Sequence, residues 1–192
     1  MSTRDRILDA AAHVMSERGI AATTTRTIAR AAGCSEALLY KYFDDKQQIF
    51  LAVLAERMPS VAAPASEPAP SLRDALVDLT ARMMSFFISS FPMATSIFGS
   101  PQLLAEHRTA VRARGYGPEG AVTLVAAQLD RERAKGRIAA EVDVDAAAAM
   151  LVGFAFHQAF LTLFDGGDAV DADSAARAAD VVLPYLEGEP RA

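Results

Sequence analysis

The stretch TIARAAGCSEALLYKYF, residues 27 to 43, sets two short helical patterns on either side of one glycine. TIARAA stops at Gly33 and EALLYKYF starts after Ser35, so the two patterns are joined by a three-residue turn. A helix-turn-helix needs just these parts: a short supporting helix, a tight turn containing Gly, and a second helix whose outward face can enter a major groove.

The flanks complete a small helical unit. Ile7, Leu8, Ala11, Ala12 and Met15 recur at three- and four-residue steps, which predicts a helix over 4–18 with Gly19 as its stop. Thr24 and Ser35 are expected N-caps for the second and third helices, and the third is expected to run through Phe43. DDK at 44–46 opens a fourth helix carrying Ile49, Phe50, Val53 and Leu54. PSVAAPASEPAPS then holds four prolines in thirteen residues, a density that prevents helix and sheet alike. The expected organisation is a helix-turn-helix domain over 1–46, a connecting helix over 47–58, a linker or loop over 59–71, and a second helical domain over 72–192.

That second domain reads as five or six helices. Leu72, Leu76, Leu79, Met83 and Phe87 form one stripe, interrupted at Pro92; PQLLAEHRTAVRAR and PEGAVTLVAAQLDRERAKG follow, the latter with Pro118 in its first turn and Gly136 at its end. No β-alternating run or internal repeat appears, so the fold class is all-α. AAAAMLVGFAFHQAFLTLF, residues 146–164, is charge-free and long enough to span a bilayer. Its flanks carry Asp143, Asp145, Asp165 and Asp168 with no nearby Lys or Arg, and His157 and Gln158 sit mid-segment, so a buried helix of a cytoplasmic protein is expected.

Composition narrows function mainly by exclusion. One cysteine, Cys34, cannot form an internal disulfide and is expected to be a structural residue; with three histidines it gives no zinc spacing. No nucleophile with a base at usable spacing and no phosphate loop is found, so neither an enzyme nor a cofactor is expected. A net charge of −5 looks wrong for a DNA binder, but residues 1–46 hold seven basic against six acidic side chains, +1, which leaves −6 for the remainder. A local basic patch can meet phosphates while the rest stays acidic.

On the third helix, Leu39 and Phe43 are four apart and face inward, leaving Ala37, Leu38 and Lys41 outward with Tyr40 and Tyr42 on the flanks. Lys41 can donate to guanine or phosphate, Ala37 and Leu38 can meet a thymine methyl, and the tyrosine hydroxyls can donate to phosphate. Arg26 can reach a base edge, while Thr24, Thr25 and Lys46 are expected at the DNA backbone. Ser35 and Glu36, opening the third helix, complete the expected DNA-binding set; Glu36 can accept from cytosine N4.

The segment from about residue 4 to 54 resembles the N-terminal domain of the tetracycline-repressor (TetR) family of transcriptional regulators. Gly19, Thr24, Arg26, Ile28, Ala29, Ala32, Gly33, Ser35, Ala37, Leu39, Tyr40, Tyr42, Phe43 and Lys46 carry the likeness, over about a quarter of the chain. It departs at Glu36, where a basic or polar residue is common, at Leu38, which replaces a hydroxyl side chain, and at Cys34, where Val is usual. The resemblance implies a homodimer paired through its last two long helices. It also implies a C-terminal domain that binds a small molecule and thereby releases double-stranded DNA.

Met83, Phe87, Phe91, Phe98 and Phe154 are the candidate lining of such a ligand site, with His157 and Gln158 as its polar groups. The apolar lining suggests a hydrophobic or amphipathic effector. Val122, Val125, Leu129, Phe156, Phe160 and Phe164 are the candidate dimer interface, since a helix apolar on all sides needs a cover. The reading is a ligand-responsive repressor of a pseudo-palindromic operator; the alternative is an all-α small-molecule-binding protein or enzyme retaining a helix-turn-helix as scaffold.

Overall fold

A computed structural model describes residues 1–57, 69–113, 115 and 117–188, and every regular element among them is α-helical. α1, Thr3–Ala22, opens with a capping box in which Ser2 accepts from the Asp5 amide and the Asp5 carboxylate accepts in return. It turns Ile7, Leu8, Ala11 and Met15 inward, and its path kinks at Gly19, where φ is 70°. α2, Thr25–Ala31, has a second capping box between Thr24 and Thr27. Gly33, at φ 64°, then supplies the left-handed step of the turn.

α3, Glu36–Leu39, is shorter than its sequence pattern predicts. Ser35 caps it, accepting from the Leu38 amide at 3.1 Å. After Leu39 the chain tightens: Lys41 N donates to Leu38 O and Tyr42 N to Leu39 O, three residues back rather than four. Phe43 N returns to Leu39 O, so Phe43 still reaches the core. α4, Lys46–Glu56, is capped by Asp45, whose carboxylate accepts from Gln48 N at 2.6 Å.

α5, Leu72–Phe98, passes straight through Pro92, where the sequence suggested a break. Its later turns bury Met93 and Ile97 in one core with Ile7, Met15, Ile28, Leu39, Phe43 and Phe50, and that burial offsets the lost amide bond at Pro92. α6, Pro101–Ala113, adds Leu103 to the same core. The described residues accordingly group as two compact units, one from Met1–Met58 with Ser89–Gly117 and one from Pro59–Ile88 with Pro118–Ala192. The first unit is thus larger than the expected 1–46 domain, and most of the expected 59–71 link, residues 59–68, lies outside the described residues.

In the second unit α7, Gly120–Ala134, starts two residues after Pro118 and packs on α8, Val144–Phe164, which in turn packs on α9, Ala172–Glu187. Leu76, Met83, Met84, Val125, Leu129 and Leu151 are among the large side chains of this core. α8 meets it with Ala147, Ala148, Leu151 and Ala155, and the buried stripe continues to Ala159 at a four-residue step. α8 is long and apolar enough to cross a membrane by length and composition, with 28% of its most apolar window buried. Within the single chain Met150, Phe156, Phe160, Leu161 and Phe164 of α8 are exposed.

Candidate nucleic-acid interface

Three features lock the two helices of the motif onto α1. Ile28 and Ala29 of α2 and Leu39 of α3 are buried with Ile7 and Leu8. Arg6 Nη2 donates to the carbonyl oxygens of Ala32 at 2.7 Å and Gly33 at 3.3 Å, which satisfies the end of α2. Lys46 Nζ donates to Ile20 O at 3.0 Å and Thr23 O at 3.1 Å, closing the segment that leads into α2.

The sequence set Lys46 against a DNA phosphate, and in the structure the ammonium is shared with the protein's own carbonyls. Two of its three donors are turned into the protein, and burial holds the ammonium below the ordinary lysine value despite an opposing pull from Glu106. Sequence spacing gave no sign of this, because the accepting carbonyls lie 26 and 23 residues away.

Outward, the motif presents Thr24, Arg26, Ser35, Ala37, Tyr40, Lys41 and Tyr42, all exposed, with Thr25, Glu36 and Leu38 half-buried. Leu38 therefore offers less surface to a groove than its pattern suggested. Thr24 and Ser35 spend their side-chain oxygens as caps, which leaves amide donors of the following turns for other acceptors. Thr25 is not a free hydroxyl: Oγ1 donates to Glu36 Oε1 at 2.5 Å and stands 3.3 Å from the Tyr40 hydroxyl. Cys34 is half-buried in the turn, its amide donating to Ala29 O, as a structural residue would be.

A second set of charges ties α1 to the end of α4. Arg4 grips Glu56 with Nη1 and Nη2, at 2.7 and 2.6 Å, and lies over the Phe43 ring. Arg57 reaches Asp9 at 2.6 Å and Asp5 at 3.0 Å. The Ser2 hydroxyl and then Arg57 hold the Asp5 carboxyl down to about 2, and the Arg4 hydrogen bonds hold Glu56 below its ordinary value.

The expected ligand lining is divided between the two units. Met83 is fully buried in the second core, while Phe87 and Phe154 pack at its margin, Phe87 edge-on to Phe156 at 5.3 Å. His157 is exposed, because the stripe of alanines and Leu151 turns it away from the core. Gln158 is half-buried and accepts from Ser174. Phe91 and Phe98 belong to the first unit, and Phe98 is 72% exposed. An open cleft of about 470 Å³ in the second unit is lined instead by Ser71, Leu72, Arg137, Ile138 and Glu187 among others.

Of the expected dimer residues, Val125 and Leu129 are buried in their own core and present no surface. Val122 is half-buried against that core. Phe156, Phe160 and Phe164 do face outward, the last at 78% exposure, with Phe160 stacked on Phe164.

The family model for bacterial regulatory proteins of the tetR family matches residues 7–53, the segment from α1 to α4. An uncharacterized HTH-type transcriptional regulator of Mycobacterium tuberculosis is 49% identical over 45 residues. That match covers 23% of this chain and 22% of the relative, so the likeness concerns under a quarter of either protein. Among solved structures, Salmonella enterica GusR is similar over 97% of this chain and 94% of its own, at 25% identity and a TM-score of 0.60. TylP, a TetR regulator from Streptomyces fradiae, shares the fold over 96% of this chain and 86% of its own, at 24% identity and a TM-score of 0.68.

Proposed function

We propose that this chain, whose N-terminal domain belongs to the tetR family of bacterial regulatory proteins, is a transcriptional regulator that binds double-stranded DNA as a homodimer and lets go when a small molecule binds. It acts in the cytoplasm, where that DNA lies, and it is a regulator rather than an enzyme.

The observation that carries this reading is the exposed row Ala37, Tyr40, Lys41 and Tyr42, mounted on the buried pair Leu39 and Phe43. A reading helix needs such an arrangement, with side chains free to meet bases and phosphates and a backbone that does not move. A two-fold dimer brings two of these helices to successive major grooves, hence a pseudo-palindromic operator. The uncovered phenylalanines of α8 supply a face for the second copy. An effector acts by preferring the conformation whose two reading helices are wrongly spaced, and repression is then relieved by a population shift.

Lys41→Ala tests the reading directly. It should weaken binding to the operator while the dimer mass stays constant. A Lys41→Ala protein that binds as tightly as the parent, with the same salt dependence, contradicts it.

A further inference from the structure

Thr25 on α2 and Glu36 on α3 meet through their side chains, and the direction of that bond has a consequence for what the motif can read. An ionised carboxylate only accepts, so the single Thr25 hydroxyl proton goes to Glu36 Oε1. With that proton committed, the 3.3 Å approach of Tyr40 runs from the Tyr40 hydroxyl to Thr25 Oγ1. The three side chains thus form a one-way chain, Tyr40 to Thr25 to Glu36, with both hydroxyl protons used within it.

Beyond these bonds the only capacity Glu36 Oε2 and the Tyr40 oxygen have left is to accept. An acceptor pair opening the reading helix repels phosphate and has nothing to offer guanine, whose major-groove edge is N7 and O6, both acceptors. It matches a base that presents an amino group. Cytosine presents N4–H2 alone, whereas adenine sets its N7 acceptor beside the amino group and against the second lone pair. Thr25 also removes a rotational freedom that Glu36 would otherwise lose on binding.

We propose that Glu36, held by Thr25, is a specificity-determining residue that takes the N4 amino group of one cytosine in each half of the operator. This rests on the regulator reading above. Thr25 is then a positioning residue, where the sequence had suggested a phosphate contact. The Tyr40 hydroxyl sets the network rather than donating to phosphate.

The experiment is selection from a random duplex library by full-length protein at fixed salt, comparing the parent with Glu36→Gln, Glu36→Ala and Thr25→Val. The parent should enrich a palindrome with one invariant cytosine per half, whose replacement costs about 10- to 100-fold in affinity. Glu36→Gln should move that position to adenine, which a glutamine reads bidentately, and leave the other positions alone. Glu36→Ala should make the position indifferent, and Thr25→Val should relax it without redirecting it. If Glu36→Gln and Glu36→Ala enrich the parent's site unchanged, the inference is overturned while the regulator reading stands. Should those variants fail to fold, base replacement against the parent protein decides, with no cytosine position costing more than about 3-fold as the overturning result. A parent that enriches no site overturns both readings together.

Discussion

Gly19 and Ser96 touch so closely that a Cβ built on the glycine would stand 2.8 Å from Ser96 Oγ, which itself accepts from the Ala21 amide at 3.0 Å. The kink of α1 and the last turns of α5 are therefore fitted to each other through a residue with no side chain. Gly19 sits at φ 70° and ψ 167°, a region open essentially to glycine alone. Gly19→Ala should lower unfolding stability by about 1–3 kcal/mol from backbone strain, with the contact adding to it. Adding Ser96→Ala should recover nothing, because Ser96 Cβ would still stand 2.9 Å from the new Cβ and the Ala21 amide would lose its acceptor, as read by urea denaturation of the three variants.

Lys46 and Lys41 should part company under alanine substitution. Lys46→Ala removes two charge-assisted bonds to carbonyls and should cost about 1.5–3 kcal/mol of stability. Its effect on DNA affinity should leave the salt slope nearly unchanged. Lys41→Ala should leave stability within about 0.5 kcal/mol and reduce the slope of log affinity against log salt by about one. Anisotropy titrations over a salt series, beside melting curves, check both.

The acid response follows from Asp5, Glu56 and His107. The two carboxyls have folded pKa values below their unfolded ones, so their contribution is present above about pH 4 and is lost as pH falls toward about 2, the Asp5 value. Burial also holds His107 below its ordinary value, so charging it costs stability as pH drops below about 6.5. Stability should therefore fall in two stages on acidification. Ser2→Ala with Arg4→Met should flatten the lower stage, and His107→Gln the upper, in denaturation curves taken across the range.

The phenylalanines of α8 should carry self-association. Phe160→Asp places a charge in the apolar face beside Phe156 and Phe164 and should weaken the dimer by on the order of 100-fold. Sedimentation equilibrium reads the shift, and operator binding should fall with it. Val125→Ala, a change inside the core, should lower stability without altering the dimer constant.

What the sequence made legible was local. Thr24 and Ser35 each cap a helix, Gly33 makes the turn, and Leu39 and Phe43 point inward, all readable from spacing because caps and faces involve neighbours. The contacts it hid are remote in the chain. Nothing near Lys46 announces the carbonyls of Ile20 and Thr23, and nothing near Thr25 announces Glu36. Pro92 misled for a related reason: a local rule stops a helix there, while the burial of Met93 and Ile97 carries it on. His157 looked buried because its segment is apolar throughout, yet the face that packs is the one lined by alanine.

The most direct test of the regulator reading is capture of fragmented genomic DNA by the purified full-length protein at about 0.15 M salt with excess competitor DNA, followed by sequencing. The expected result is enrichment of a pseudo-palindromic site, with half-sites about one helical turn apart or a multiple of it. Absence of any enriched site, from folded dimer refolded to strip bound effector, would contradict it.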